Sequence, residues 1–169
     1  NTPADNPVTD WGATLGRVLF YDTRLSGNPS ISCSSCHNQA AGFSDTKQFS
    51  QGFKGGASGR HSMSLINARY YVNGPFFWDE TAGTLSGQVL KAVQDSVEMG
   101  MQLDSLVSRL KSTEFYPILF KKAFGNEEIN ADKIAKALAQ FVRSIVSYRS
   151  KFDEGLQLTN NRLADFPNY

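Results

Sequence analysis

Two cysteines and a histidine lie together in the order Cys33-Ser34-Ser35-Cys36-His37. At this C-x-x-C-H spacing, two thiols can add across the vinyl groups of a porphyrin as thioethers, because the two-residue spacer places them on one turn of backbone. The next residue then places an imidazole under the ring, where it can bind the iron. The motif therefore predicts one covalently attached haem c in this chain, with His37 as the proximal iron ligand.

A zinc site and a redox-active thiol pair are the alternatives for the same residues. A structural zinc ion needs four ligands. The chain offers four candidate ligands: Cys33, Cys36, His37 and His61. The first three are too crowded to space evenly around one ion. A thioredoxin-like pair lies in a βαβ setting, and no segment shows the alternation and β-branched composition of a long strand. The sequence thus favours haem.

The ligand on the other face of the haem decides what the iron can do. An electron carrier fills both axial positions, and the candidates for the second one are His61, Met63, Met99 and Met101. A peroxidase leaves one face open and needs a general acid–base group above the iron. Glu98 lies between an apolar helical pattern and a turn of small residues, a place that suits a partly buried acid. On residue physics alone, a solvated or capping role for Glu98 is the commoner one.

Helical patterns flank a long, loop-rich centre. From Cys33 to about Pro75 the chain is rich in Gly, Ser and Asn, which excludes a long helix there and is typical of a functional loop or of one packed around a cofactor. One helix is expected over about 84–95, and a later one should stop at Gly125. Thr9-Asp10 and Asn130 are plausible caps for the first and last helices. The apolar stripes are Trp11, Leu15, Val18 and Leu19; Leu85, Val89, Ala92 and Val93; Leu103, Leu106, Val107 and Leu110; Tyr116, Leu119, Phe120, Ala123 and Phe124; and Ile134, Ala137, Leu138, Phe141, Val142 and Ile145.

The predicted fold class is therefore all-α: a single haem domain over residues 1–169, with a long Gly/Ser-rich loop region around the haem. Residues 163–169 are expected to be a linker or a cut end. The formal net charge of +1 argues against a nucleic-acid partner, which would require a basic stripe. No apolar run approaches the ~18–20 residues that a membrane-spanning helix needs.

Several ordered motifs resemble those of the bacterial dihaem cytochrome c peroxidase family, which also includes the MauG-type enzymes. The resemblance is to the amino-terminal, peroxidatic haem domain and runs from Leu15 to about Asp153. It implies a cytochrome c-like haem domain. The motifs that carry it are Leu15-Gly16-Arg17-x-Leu19-Phe20-Tyr21-Asp22-x-Arg24-Leu25-Ser26, Ser32-Cys33-x-x-Cys36-His37, Gly42-Phe43-x-Asp45, Ser50-x-Gly52, Phe77-Trp78-Asp79, Gln88, Val97-Glu98-Met99 and Ala137-Leu138-Ala139-x-Phe141-x-Arg143.

The resemblance implies a role for each matching residue. His37 would be the proximal ligand, Gln88 the distal-pocket glutamine and Glu98 the catalytic glutamate. Trp78 matches the tryptophan between the two haems, where an aromatic ring can shorten the electron path. Packing in the hydrophobic core is the alternative for Trp78.

The chain also departs from the family pattern. Phe53 stands where many of these peroxidases carry a removable distal histidine, so the distal face should be open without reductive activation unless His61 or a methionine substitutes. His61 replaces the asparagine that ligates calcium between the two domains, and imidazole is a poor ligand for a hard cation. Calcium is therefore possible but only weakly expected. Glu80 and Thr81 replace the usual Gly-Arg after Trp-Asp, and the second C-x-x-C-H, expected in a carboxyl-terminal domain, is absent from this chain.

The expected function is reduction of hydrogen peroxide to water, with electrons relayed from a second haem domain. A MauG-like oxidase acting on a protein or organic substrate and a plain electron-transfer cytochrome are the alternatives. The resemblance implies a small electron-donor cytochrome or cupredoxin as a partner and allows a homodimer. Haem c is attached outside the bacterial cytoplasm, so a periplasmic protein, free or lipid-anchored, is expected.

Overall fold

The computed structural model describes residues 2–71 and 75–158. Within these ranges the chain is helical, and its β-structure is limited to isolated bridges, which confirms the all-α prediction. The helices are α1 (Asp10–Tyr21), α2 (Cys33–Cys36), α3 (Leu85–Gln94), α4 (Leu103–Lys111), α5 (Phe115–Phe124), α6 (Ala131–Ser144) and α7 (Lys151–Leu158). Residues 163–169 lie outside the described residues.

The predicted helix signals act as expected. The Thr9 hydroxyl accepts a hydrogen bond from the Gly12 amide at the start of α1, and Asn130 accepts one from the Lys133 amide at the start of α6. Gly125 ends α5 with a φ of 81°, which glycine adopts without steric cost. These helix predictions are therefore confirmed at both ends of the chain.

The amphipathic helix α6 forms the centre of the core. Its apolar face includes Ile134, Leu138 and Val142, all buried, as the i, i+4 spacing requires. Helix α1 crosses α6 at close range: a Cβ on Gly16 would lie 2.0 Å from the Ala137 carbonyl oxygen. The two helices can pack this closely because residue 16 has no side chain.

Trp11 differs from the rest of its predicted stripe. The other three residues of that stripe are buried or half-buried, whereas Trp11 is exposed. The Lys122 ammonium group of α5 lies 4.2 Å from the centroid of the indole ring, a cation–π contact. The first turn of α1 thus projects past the core and packs beside α5.

The segment between α2 and α3 is held by short turns, as the glycine-rich composition predicts. Its described part contains two 3₁₀ turns, Gln39–Ala41 and Ala68–Tyr70. Three isolated β-bridges close its loops; they join Asn38 to Ser44, Gln51 to Ala57 and Phe76 to Ala82. No helix in the described ranges is both long enough and apolar enough to span a membrane.

Candidate haem site

A large, mostly apolar cavity opens between α2, α3, α6 and the loops that connect α2 to α3. Its empty volume, including the open mouth, is about 1270 Å³, on the scale of a cofactor site rather than of a buried water. The structure brings all the predicted site residues to this one cavity. The members of that set are Cys33, Cys36, His37, Trp78, Gln88 and Glu98.

The two cysteines lie on the single turn that forms α2. A reciprocal capping box holds this turn: the Ser32 side chain accepts from the Ser35 amide, and the Ser35 hydroxyl accepts from the Ser32 amide at 3.0 Å. Both cysteines are free thiols that line the cavity. Burial, and secondly the neighbouring Cys36, raises the pKa of Cys33 to about 12. The thiols are thus neutral groups facing an apolar space, an arrangement that suits thioether attachment of a porphyrin.

His37 is oriented by two backbone carbonyls. Its Nδ1 lies 3.1 Å from the Phe43 oxygen and 3.0 Å from the Met63 oxygen. Because carbonyls only accept hydrogen bonds, Nδ1 carries the proton and leaves the Nε2 lone pair for a metal. Burial also lowers the pKa of His37, which favours the neutral imidazole that a metal requires.

A left-handed turn brings one of these carbonyls into place. Gly42 has a φ of 68° and Phe43 a φ of 56°, and the Phe43 amide donates to the Asn38 carbonyl at 2.8 Å. The chain therefore folds back over His37 within six residues. This partner of His37 was not predicted, although the Gly-Phe pair after the motif is the sequence signal for such a turn.

Glu98 is positioned by a turn that Asp95 builds. Asp95 Oδ1 accepts hydrogen bonds from the amides of Val97 at 2.8 Å and Glu98 at 3.0 Å, an Asx turn. Burial, and secondly the Asp95 charge, raises the pKa of the half-buried Glu98 carboxyl. Asp95, and not Glu98, is therefore the residue that caps this turn. Glu98 lines the cavity instead.

The loop that contains Phe53 is fastened to this turn. The Phe53 amide donates to the Glu98 carbonyl at 2.9 Å, and a Cβ on Gly52 would lie 1.7 Å from the Val97 oxygen. The Phe53 ring packs over Gly100, whose φ is 59°; a Cβ there would lie 2.2 Å from the ring. Phe53 is not among the described residues that line the cavity, and its ring packs beside the Glu98 turn.

Gln88 reaches the cavity from α3. This helix starts at Leu85, where the Thr84 hydroxyl accepts a hydrogen bond from the Gly87 amide at 3.0 Å. One face of α3 lines the cavity with Leu85, Gln88, Val89, Ala92 and Val93. Gln88 therefore presents an amide on an otherwise apolar wall, where it can donate or accept hydrogen bonds.

Trp78 lies at the exposed mouth of the cavity. Its side chain is 62% exposed, so the alternative of core packing is wrong. The indole Nε1 donates to the His61 carbonyl at 2.9 Å, and the neighbouring Asp79 pairs with Arg60 at 2.7 Å. Two contacts between the same two loops thus fix the orientation of the indole ring.

The candidates for a second axial ligand occupy different places. His61 is engaged at both ring nitrogens, with the Lys47 carbonyl 3.1 Å from Nδ1 and the Ser44 hydroxyl 3.1 Å from Nε2. Met63 lines the cavity, and its backbone carbonyl accepts a hydrogen bond from Nδ1 of His37. Met101 is buried but is not among the described cavity-lining residues, whereas Met99 is buried and lines the cavity. His61, Met63 and Met99 all line the cavity, so an electron-carrier function would have to use one of these three residues.

The zinc alternative gains no support from the geometry. In the part of the chain that the structure describes, no group of three or more His, Cys, Asp or Glu side chains is arranged to hold a metal ion. The apolar cavity, the free thiols and the oriented imidazole fit a porphyrin instead. Cys33 and Cys36 would hold its edge, and His37 would bind its iron.

Two known proteins are similar to this chain over most of its length. The methylamine utilization protein MauG of Methylorubrum extorquens is 38% identical over 152 residues, which are 89% of this chain and 42% of that protein. Cytochrome c551 peroxidase of Nitrosomonas europaea is 35% identical over 151 residues, 89% of this chain and 45% of that protein. The chain thus spans less than half the length of these relatives.

A solved structure shows the same fold. The crystal structure of a MauG-like protein associated with microbial copper homeostasis has a TM-score of 0.86 and 33% sequence identity, and the match covers 98% of this chain and 49% of that one. The cytochrome c-like, all-α prediction is confirmed. Residues 11–161 match the family described as di-haem cytochrome c peroxidase. The chain belongs to the di-haem cytochrome c peroxidase family.

Proposed function

We propose that this chain is the amino-terminal haem domain of a peroxidase that reduces hydrogen peroxide to water. The reaction consumes two electrons and two protons for each peroxide and yields two water molecules. The observation that carries the proposal is the position of Glu98 and Gln88 on the same cavity as Cys33, Cys36 and His37. Relatives named cytochrome c peroxidases support the same reaction class.

Haem c is the cofactor that the cysteines and His37 would hold. When bound, it supplies the electron exchange that breaks the oxygen–oxygen bond. The protein contributes position and proton transfer. The neutral imidazole of His37, held by the carbonyls of Phe43 and Met63, leaves Nε2 for the iron.

Glu98 acts as the general acid–base group. Its carboxylate takes the proton from one peroxide oxygen and returns it to the departing oxygen, which leaves as water. The raised pKa of Glu98 makes its carboxylate a stronger base for the first step, and a pKa nearer the working pH lets one group serve as base and then as acid. Gln88 holds the peroxide by hydrogen bonds from its amide and limits its movement.

Trp78 lies on the side from which electrons would arrive. Its exposed indole at the cavity mouth would be covered by the second haem domain, and an aromatic ring there shortens the electron path. That domain would receive electrons from a small cytochrome or a cupredoxin. A periplasmic location, calcium between the domains and a homodimer stay predictions.

A MauG-like oxidase is the second candidate function. It is favoured by the 38% identity to the methylamine utilization protein MauG and by the similarity to a MauG-like crystal structure. The same cavity residues would serve both reactions. A peroxide assay alone does not separate these candidates, since both would use peroxide, so the consumption of an organic or protein electron donor must be measured as well.

The test is Glu98→Gln in the haem-loaded protein with its second domain, with peroxide turnover as the readout. Loss of the acid–base group should lower turnover by roughly 10²- to 10⁴-fold. The matched control is Glu114→Gln, because Glu114 is exposed at the start of α5 and its side chain makes no capping bond. Equal turnover by the Glu98→Gln variant and the control would remove Glu98 from the mechanism.

A further inference from the structure

A second, smaller cavity meets the haem cavity at Glu98. Its empty volume, including the open mouth, is about 490 Å³, enough for several small molecules. Charged residues dominate its walls, in contrast to the apolar haem cavity. We name it the polar vestibule, and the residues that line it are Arg60, Phe77, Asp79, Thr81, Lys91, Ala92, Asp95 and Glu98.

The vestibule and the haem cavity share part of their walls. Arg60, Phe77, Ala92 and Glu98 line both. A haem bound through Cys33 and Cys36 would fill the larger cavity. A small molecule must then reach Glu98 by another path, and the vestibule ends at that side chain.

Two contacts set the width of the vestibule by bracing the loop at residues 79–81. On one side, Arg60 Nη1 lies 2.7 Å from Asp79 Oδ2. On the other, the Lys91 ammonium group of α3 donates to the Thr81 carbonyl at 2.7 Å. Within the loop, the Thr81 hydroxyl donates to Asp79 Oδ1 at 2.9 Å. The loop is thus tied to two separate elements, and the space lies between them.

The charges of the vestibule nearly cancel. Its cations are Arg60 and Lys91, and its anions are Asp79 and Asp95, with Glu98 at the inner end. The four outer residues are exposed, whereas Glu98 is half-buried. A balanced, polar lining neither concentrates ions of one sign nor repels a neutral, hydrogen-bonding molecule.

We propose that the polar vestibule is the route by which a small, uncharged hydroperoxide, and the water formed from it, exchange between solvent and Glu98. This inference rests on the proposed function, because it names the path of that reaction's substrate. The size of the vestibule makes the route selective for small hydroperoxides over bulky ones. Thr81 and Lys91 lie on this route and touch neither the haem-attachment residues nor Glu98 in any contact described above.

The test is to obstruct the outer rim and follow a ligand that undergoes no peroxide chemistry. Thr81→Trp adds a large ring at the rim, and the matched control is Gly83→Trp, in the same segment but outside the vestibule, where a Cβ meets no atom within 4 Å. The probe is cyanide binding to the ferric, haem-loaded protein in stopped flow. An obstructed route slows association and dissociation by the same factor, expected at roughly 10-fold for Thr81→Trp, and leaves Kd unchanged. A substitution that only destabilised the fold would not slow cyanide association and dissociation by the same factor.

Lys91→Ala provides an independent test, because it widens the route instead of obstructing it with an added ring. It removes one of the two contacts that brace the loop, so the reaction with tert-butyl hydroperoxide should accelerate relative to that with hydrogen peroxide. Unchanged cyanide kinetics in Thr81→Trp together with an unchanged hydroperoxide ratio in Lys91→Ala would refute the route. A protein in which cyanide entry is slowed but peroxide is never reduced would keep the route and refute the proposed function.

Discussion

Replacing Gly52 by alanine should displace Glu98 by pushing on the backbone of its turn. A Cβ at position 52 would lie 1.7 Å from the Val97 carbonyl oxygen and 3.2 Å from the Glu98 oxygen. The Val97 oxygen belongs to the peptide that also carries the Glu98 amide. Because that obstacle is backbone, the added methyl group must push the Glu98 turn away from the Phe53 loop.

The size of the effect follows from this overlap. Relief of the contact needs a shift of about 1 Å or more, and a displacement of this size can lower an enzymatic rate by roughly 100-fold. The shift also stretches the hydrogen bond from the Phe53 amide to the Glu98 carbonyl, now 2.9 Å. Overpacking of this kind costs about 1–3 kcal/mol of stability, so the variant should still fold.

The assay is the bimolecular rate of the haem-loaded protein with hydrogen peroxide, measured by stopped flow, with guanidinium unfolding to report stability. The matched control is Gly56→Ala in the same loop, where a Cβ meets no atom within 4 Å and φ is not positive. Alanine at such a site should stabilise the protein by about 0.4–1 kcal/mol and leave the peroxide rate unchanged.

A double variant separates positioning of Glu98 from general damage. If Gly52→Ala acts through Glu98, it should lower the rate of wild-type protein but cost little more in a Glu98→Gln background, since residues that act as a unit are not additive. A Gly52→Ala variant with the wild-type peroxide rate would refute the positioning argument. Equal losses in both backgrounds would also refute it.

Three further predictions concern charge and burial. Burial, and secondly the Asp95 charge, raises the pKa of Glu98; Asp95→Asn keeps the Oδ1 acceptor but removes that charge. Since the base must be ionised, the peroxide rate falls as pH drops through this pKa. In the variant, that fall should move to lower pH in a pH–rate profile. Tyr116→Phe removes the hydrogen bond from a fully buried hydroxyl to Asp22 and should cost about 1–3 kcal/mol in chemical denaturation. Arg143, 4% exposed, has a buried Nη1 without a hydrogen-bond partner among the described residues, so Arg143→Met should be neutral or stabilising by about 1 kcal/mol, and a loss above that size would contradict the inference.

The helices could be predicted because their signals are local. Capping by Thr9 and Asn130, the stop at Gly125 and the apolar face of α6 depend on residues within a few positions of one another. The attachment turn could be predicted for the same reason, since Cys33, Cys36 and His37 lie within five residues. Trp11 is the exception, because its exposure depends on how α5 packs beside it.

The support around the site could not be predicted, because its contacts join residues far apart in the chain. The carbonyl of Met63 orients His37 from 26 positions away, and the Phe53 loop holds the Glu98 turn across a still longer separation in the chain. No spacing rule reports such contacts before the fold is known. Asp95 is the local exception, because an aspartate two residues before Val97 is an ordinary Asx-turn signal.

The most direct test of the account is the intact mass of the matured protein together with its reduced-pyridine spectrum. The account predicts a mass equal to the polypeptide plus one haem for this chain, and a spectrum typical of a haem whose two vinyl groups are both bonded as thioethers to Cys33 and Cys36. A matured protein with only the polypeptide mass would contradict it, because Glu98, Gln88 and the oriented His37 would then surround a cavity without the group on which they are proposed to act.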